Sequence, residues 1–381
     1  MKDIFSSNVE TIEISGIRKF YNKVSKVPNA ISLTLGQPDF YTPDAIKEGA
    51  IKAIKENKTV YTPNGGIIEL REAISNYLKT LDIEYNKEEI CVTVGGSEGL
   101  MSVFTSLINT GDKVLIPEIA YPAYESIVKM LGGNCINYGL TEDFSIDFSN
   151  LERLINNEKP KILVLSYPSN PTGAILSKEE KEKLYKIIKS NNILVITDEI
   201  YASLCYEEYY SICQYKDLKD KIILISGFSK MFSMTGFRVG YVATNDHIMN
   251  NIMKVHQYNV SSATSISQYA ALEGLKKSMD DAKNMKKEFK KRRDYVYTRL
   301  KNMNLKVNEP KGAFYILPSI KEFNMTSEEF CEKLLLEEKV AIVPGSAFGK
   351  GGEGYIRISY CYSDNELKIA LDKLENFIKN L

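Results

Sequence analysis

Apolar runs and amphipathic stretches alternate through the middle of the chain. Short aliphatic runs predict strands over 113–116, 161–165, 193–197 and 221–225. Apolar residues at helical spacing predict helices over 70–81, 124–131 and 178–189. Ser177 followed by Glu180 is a capping-box signature for the last helix. This alternation indicates an α/β fold of three layers, in which helices cover both faces of a mostly parallel sheet.

A long charged helix is predicted over 276–301, and a second, smaller α/β domain follows it. We expect the N-terminal segment to join this smaller domain in space. The expected division is a large domain over 42–285 and a small domain built from 1–41 and 286–381. A chain of 381 residues is long enough to bury a core in each domain.

Polar residues stand where the predicted strands end. Asn170, Asp198 and Lys230 each follow one of these strands. Because the carboxyl ends of parallel strands meet at one edge of a sheet, we expect these side chains to share a crevice. A lysine there, between Ser229 and a later Arg238, suits a covalent link to an aldehyde cofactor beside a phosphate site. A solvated lysine after a core strand is the alternative for Lys230 taken alone.

The ordered set resembles the site residues of class I/II (fold-type I) aminotransferases, which depend on pyridoxal phosphate. Its members are Asn170, Asp198, Tyr201, the Ser229–Lys230 pair and Arg238. The resemblance extends from about residue 14 to the C-terminus. It implies pyridoxal 5'-phosphate as the cofactor, with Lys230 as its covalent anchor and as the group that shuttles the proton.

The resemblance also assigns roles around the cofactor ring. Asp198 would keep the pyridine nitrogen protonated, and Tyr201 and Asn170 would share the phenolic oxygen. Tyr121 would stack on the ring. The expected catalytic residues are therefore Lys230, Asp198 and Tyr201. From the residues alone, Asp198 also suits a helix N-cap, Asn170 a plain turn and Tyr121 a core position.

A phosphate site is expected at the start of a helix. Gly96, Ser97 and Glu98 open a helix whose free N–H groups and dipole favour an anion. The family binds phosphate at this turn, and Ser229 and Arg238 would complete the site. A lone pair of glycines is a weak signal without the family.

Two further positions follow from the resemblance. Gly227 stands where many relatives have serine, which would remove one hydroxyl contact to the phosphate. Tyr61 matches a tyrosine that reaches the phosphate of the neighbouring subunit. The expected assembly is therefore a homodimer with shared active sites.

Substrate binding is expected at Arg357, which alternates with apolar residues on a predicted strand. In the family this arginine binds the α-carboxylate of the substrate in a bidentate manner, and Gly36 lies beside it. Asn170 also contacts the substrate. A salt bridge within the small domain is the alternative for Arg357.

The composition of the chain bears on whether it binds nucleic acid, membranes or metal ions. Lys and Arg together equal Asp and Glu at 49 each, so nothing favours nucleic acid or an anionic membrane. Six scattered cysteines and two histidines show no metal-ligand spacing, so free thiols in the cytoplasm and no metal are expected. The segment 345–350 is one residue short of a nucleotide-binding loop, and we expect it to cover the active site. No catalytic role is expected for His256.

The expected activity is ping-pong transfer of an amino group between an L-amino acid and a 2-oxo acid, with 2-oxoglutarate as the expected acceptor. Segments 14–20, 167–170 and 254–260 look close to bacterial N-acetyl-LL-diaminopimelate aminotransferases, and are similar to aspartate and aromatic aminotransferases. Candidate donors are therefore N-acetyl-LL-diaminopimelate, aromatic amino acids and aspartate. Segment 255–265 contains no arginine, so tight aspartate specificity is not expected.

Two rival functions share these residues. A cysteine-conjugate β-lyase would use the same lysine and aspartate, and product analysis separates it from a transaminase. A non-enzymatic regulator that binds pyridoxal phosphate would need a DNA-binding module, for which the 381 residues leave no room.

Overall fold

The computed structural model describes residues 4–381. Its strands are β1 (Ile31–Ser32), β2 (Ile90–Thr93), β3 (Lys113–Pro117), β4 (Asn134–Tyr138), β5 (Ile162–Ser166), β6 (Leu194–Asp198), β7 (Ile222–Gly227), β8 (Gly240–Ala243), β9 (Tyr315–Ile316), β10 (Val340–Ala341), β11 (Val343–Pro344) and β12 (Ile356–Ser359).

Helices fill most of the sequence between these strands. They are α1 (Ser7–Glu10), α2 (Gly16–Val24), α3 (Asp44–Lys55), α4 (Ile68–Lys79), α5 (Gly95–Leu107), α6 (Ala123–Met130), α7 (Phe148–Glu158), α8 (Lys178–Ser190), α9 (Asp246–Val260), α10 (Ser265–Lys277), α11 (Met279–Asn302), α12 (Ser327–Glu338) and α13 (Asp364–Lys379). Within residues 4–381, no helix combines the length and apolar character needed to cross a membrane.

A seven-stranded sheet forms the centre of the molecule, in the order β2-β8-β7-β6-β5-β3-β4. The five strands from β7 to β4 run parallel, and β8 is antiparallel to both of its neighbours. The prediction of a mostly parallel sheet is confirmed. The predicted strands match β3, β5, β6 and β7 to within two residues at each end, whereas β2, β4 and β8 were not predicted.

Successive residues of the central strands pack alternately into two different hydrophobic cores. Leu163 and Leu165 of β5 pack into the core beneath α4 and α8, whereas Ile162 and Val164 pack into the core beneath α5 and α9. Side chains of a strand alternate between faces, so these cores lie on opposite faces of the sheet. The three-layer α/β/α arrangement is confirmed.

A third core lies beside the sheet and joins the two ends of the chain. Phe20 and Val24 of α2 pack there with residues of α11, α12 and α13. β1 pairs in parallel with β10, and β9, β11 and β12 form a small antiparallel sheet. The predicted domain limits, 42–285 against 1–41 with 286–381, stay a prediction, and residues 1–3 lie outside the described part.

Candidate active site

The carboxyl edge of the parallel strands opens into a cavity of about 260 Å³ between the large sheet and the third core. Eleven of the predicted site residues line it. They are Gly36, Gly96, Ser97, Tyr121, Asn170, Asp198, Tyr201, Ser229, Lys230, Arg238 and Arg357. The crevice predicted from the strand ends is therefore where the structure brings these side chains together.

Lys230 follows β7 and points its amine into this cavity. Its Nζ donates a hydrogen bond to the carbonyl of Gly36, and it lies 6.0 Å from the ring centre of Tyr201 and 5.8 Å from that of Phe314. Burial lowers the pKa of Lys230 to about 8, and the nearby guanidinium groups of Arg238 and Arg357 act in the same direction. A lysine with a lowered pKa is neutral, and so nucleophilic, nearer to physiological pH.

Asp198 is the last residue of β6, and its carboxylate is buried. Oδ2 accepts a hydrogen bond from the hydroxyl of Tyr124 at 2.8 Å, and Oδ1 accepts one from the backbone N–H of Ile200 at 3.2 Å. Burial raises the pKa of Asp198, and the two hydrogen bonds oppose that rise. Within residues 4–381 no basic side chain pairs with it, so a cation is the group that would lower its free energy most.

Arg357 projects from β12 and is 2% exposed. Its Nη1 donates to Oδ1 of Asn170 at 2.9 Å, and its Nη2 donates to the carbonyl of Thr34. Its Nε is buried without a partner, and no acid of the described chain forms an ion pair with it. The structure therefore shows no salt bridge at Arg357. A buried guanidinium with a free N–H is ready to bind an anion from the cavity.

The N-terminus of α5 lies very close to the guanidinium of Arg238. Gly95 has φ +72°, and a Cβ built there would lie 2.5 Å from Nη2 of Arg238. The first N–H groups of α5 have no partner within the helix, so a second positive element lies beside the guanidinium. Ser229 and Thr235 also line the cavity, and Nη1 of Arg238 donates to the carbonyl of Thr235 at 3.0 Å. This corner combines the donors that a phosphate group needs.

A family model described as "Aminotransferase class I and II" matches residues 28–374. The chain belongs to the class I and II aminotransferase family. It is an enzyme of this family, and the family uses pyridoxal phosphate.

Several relatives of this aminotransferase align over nearly the whole chain. A probable N-acetyl-LL-diaminopimelate aminotransferase of Bacillus subtilis is 46% identical over 99% of this chain and 96% of its own length. A probable aspartate aminotransferase of Methanocaldococcus jannaschii is 41% identical over 97% and 98%. The solved structure of an aromatic aminotransferase from Pyrococcus horikoshii superposes with a TM-score of 0.90 at 37% identity, covering 95% of this chain and 99% of that chain.

Two predicted cofactor residues of the aminotransferase lie outside the cavity. The carboxylate of Glu98 faces His256, whose Nδ1 is 3.1 Å from Oε1, and Glu98 does not line the cavity. Tyr61 is 89% exposed on the surface of the single chain. His256 is itself completely buried and does not line the cavity.

Five polar residues that line the cavity were not predicted, namely Thr34, Tyr124, Ser166, Thr235 and Tyr315. Tyr124 binds Asp198, and its hydroxyl also lies 3.0 Å from Oγ of Ser166. The hydroxyl of Tyr315 lies 2.8 Å from that of Tyr201, and its ring centre is 4.3 Å from Cζ of Arg357. The position of Ser166 at the end of a predicted strand was an available signal, since it is the same signal that marked Asp198.

The loop after β11 contacts one residue of the site, and the prediction that segment 345–350 covers the active site stays a prediction. Phe348 packs with its ring centre 4.8 Å from Cζ of Arg357, and its carbonyl accepts a hydrogen bond from the N–H of Ala120 at 2.8 Å. The loop therefore packs against the arginine from outside the cavity.

Proposed function

We propose that this aminotransferase binds pyridoxal phosphate in the cavity and passes an amino group from a large L-amino acid to 2-oxoglutarate by a ping-pong mechanism. One observation carries the proposal. A lysine amine, a buried carboxylate without a cation and a buried guanidinium without an anion line one cavity of about 260 Å³. When bound, the cofactor supplies an electron sink for the pair left at Cα when its proton departs.

The residues present fit that cofactor. The carboxylate of Asp198 would hold a proton on the pyridine nitrogen, because an opposite charge at short range favours the protonated ring. Tyr124 fixes the orientation of this carboxylate through its 2.8 Å hydrogen bond. The N–H groups of Gly96 and Ser97, the hydroxyl of Ser229 and the guanidinium of Arg238 would hold the phosphate.

Lys230 would bind the aldehyde of the cofactor and then move the proton at Cα. Its amine has a pKa lowered to about 8, so it accepts and returns a proton near neutral pH at little cost. Tyr201 and Asn170 would donate to the phenolic oxygen, and Tyr121 would lie against the ring. The hydroxyl of Tyr315 orients that of Tyr201.

Arg357 would bind the α-carboxylate of each substrate through its free Nε and its Nη groups. Asn170, which accepts from Nη1, would position both the guanidinium and the cofactor oxygen. Binding an anion there relieves the cost of burying an unpaired charge. We propose a homodimer in which Tyr61 of each subunit completes the other subunit's phosphate site.

The donor is best assigned by a panel of L-amino acids offered with 2-oxoglutarate. We expect N-acetyl-LL-diaminopimelate or an aromatic amino acid to give a higher kcat/KM than aspartate, because segment 255–265 offers no arginine for a distal carboxylate. Absorbance spectra of the bound cofactor report each half-reaction separately. A kcat/KM for aspartate far above that of every other donor would overturn this assignment, and release of a thiol from a cysteine conjugate without amino transfer would favour β-elimination.

A further inference from the structure

Glu98 places a carboxylate in the first turn of α5, the helix whose N-terminus we propose as part of the phosphate site. Its Oε2 accepts from the backbone N–H of Val94 at 3.1 Å, and its Oε1 accepts from the hydroxyl of Ser102. A carboxylate at this end of a helix interacts with the same positive dipole that attracts a phosphate. Left without a counter-charge, it would repel a dianion bound next to it.

His256 of α9 provides the counter-charge. Its Nδ1 lies 3.1 Å and 3.2 Å from the two carboxylate oxygens of Glu98, and its Nε2 lies 2.9 Å from the carbonyl oxygen of Asn64. Both partners are acceptors, and a neutral imidazole carries only one N–H. The ring satisfies both contacts as a donor only when it is doubly protonated.

The surroundings of His256 agree with that charge. Burial opposes protonation, but the neighbouring Cys91 and Glu98 outweigh it and raise the pKa of His256 well above its ordinary value. Burial raises the pKa of the Cys91 thiol on β2, which therefore stays neutral. Glu98 is then the only negative group in contact with the ring among residues 4–381.

We propose that His256 is a buried imidazolium that cancels the charge of Glu98 and so keeps the N-terminus of α5 attractive to the cofactor phosphate. It is a positioning residue that acts through Glu98 and touches neither cofactor nor substrate. The inference rests on the phosphate site of the proposed function.

The imidazole ring of His256 also binds the segment that carries Tyr61. Its Nε2 donates to the carbonyl of Asn64, whose side-chain amide donates to the carbonyl of Ser261 at 2.6 Å. The N–H of Val92 binds the neighbouring carbonyl of Gly65 at 3.0 Å. One cation therefore connects the phosphate helix of its own subunit with the segment proposed to reach the partner subunit.

Equilibrium dialysis with two ligands tests the charge balance. Pyridoxal 5'-phosphate and pyridoxal differ only in the phosphate, so a charge effect at α5 changes the affinity for the first and spares the second. We expect His256→Gln to weaken pyridoxal phosphate about tenfold or more and to leave pyridoxal within about twofold. Glu98→Gln, which leaves the cation alone, is the matched variant and is expected to bind the phosphate compound at least as tightly as wild type.

The double variant Glu98→Gln with His256→Gln decides between charge and packing. It is neutral, as the native pair is, so we expect most of the lost affinity to return. Equal weakening of both ligands by His256→Gln, or no recovery in the double variant, would overturn the proposal. If wild type itself does not prefer the phosphate compound, the phosphate site of the proposed function fails as well.

The charge state is measured independently by NMR, so variants that fold poorly do not decide the matter. The chain contains only two histidines, and the exposed His247 gives the second signal. With 15N-labelled histidine, we expect the His256 ring to show two protonated nitrogens throughout pH 6 to 8.5. A neutral ring in that range would refute the imidazolium, whatever the ligand affinities show.

Discussion

Asp198 and Arg357 are opposite charges buried at one cavity, and they are not paired with each other. Asp198 binds a tyrosine hydroxyl and a backbone N–H, whereas Arg357 binds an amide oxygen and a backbone carbonyl. Because these partners are neutral, they orient each side chain and leave its charge uncompensated. Two ligand charges of opposite sign, a pyridinium and a carboxylate, can therefore be bound at separate points in the same cavity.

Replacing Asp198 by Ala tests the role of the carboxylate. We expect kcat to fall by several orders of magnitude while the cofactor stays bound, since the ring charge matters most when the carbanion forms. Tyr124→Phe is the matched control. It removes one hydrogen bond to Asp198 and keeps the carboxylate, so a loss of only about tenfold is expected. Steady-state kinetics with a single donor measure both, and near-normal kcat in Asp198→Ala would exclude the assigned role.

The lowered pKa of Lys230 predicts how cofactor capture depends on pH. The neutral amine attacks the aldehyde, and the amine is neutral above its pKa of about 8. The rate of capture by cofactor-free enzyme should therefore rise with pH and level off above about pH 8 to 9. Stopped-flow absorbance across pH 6 to 10.5 follows the reaction, with Lys230→Ala as the blank. A rate that still rises steeply at pH 10 would show an amine with an ordinary pKa.

Site residues could be predicted from the sequence where a polar residue follows an apolar strand. Asp198 and Lys230 stand out in this way. Tyr315 does not, because it lies within the apolar run Ala313–Leu317 and resembles any core tyrosine. Its role depends on a 2.8 Å contact with Tyr201, more than a hundred positions earlier in the chain, and local pattern carries no such information.

At the scale of elements, the glycines that bring β7, β8 and α5 together leave no room for a side chain. A Cβ on Gly240 would lie 2.6 Å from backbone atoms of Gly95 and Gly96, and one on Gly227 would lie 2.8 Å from Cα of Gly240. Backbone cannot move aside as a flexible side chain can. A side chain at Gly227 therefore does not fit without a shift of the backbone.

Gly240→Ala should displace the beginning of α5. We expect a loss of about 1–3 kcal/mol in the free energy of unfolding and weaker binding of pyridoxal phosphate, since the first N–H groups of α5 move with the backbone. Gly236→Ala is the matched control, because a Cβ there meets no atom within 4 Å. Thermal unfolding and cofactor titration measure both effects. Equal behaviour of the two variants would disprove the steric argument.

Central strands were predictable because they are buried on both faces. β5, β6 and β7 are continuous aliphatic runs, which mark strands of a parallel sheet. β4, with the sequence Asn134–Tyr138, is partly polar at the sheet edge, and β8 is four residues that begin with glycine. Their pairing with distant strands stabilises them, so their own sequences give little signal.

For the whole molecule, the exposed position of Tyr61 predicts complementation between subunits. If Tyr61 serves the partner's site, a heterodimer of Tyr61→Ala and Lys230→Ala subunits contains one intact site. Mixing the two inactive variants should then restore activity up to about a quarter of wild type. Each variant refolded alone is the control. A fully active monomer in sedimentation analysis would contradict shared sites.

The pairing of β1 with β10 fixes when this site can form. Ile31 lies opposite Val340, so β1 waits for a strand that is synthesised about 310 residues later. At about 5–20 residues per second, that interval is roughly 15–60 s of elongation. Gly36 and Arg357, which both line the cavity, come from these two distant parts of the chain. Lys230 is synthesised well before Arg357 completes the cavity, so we expect the proposed cofactor to bind only after β12 has been synthesised.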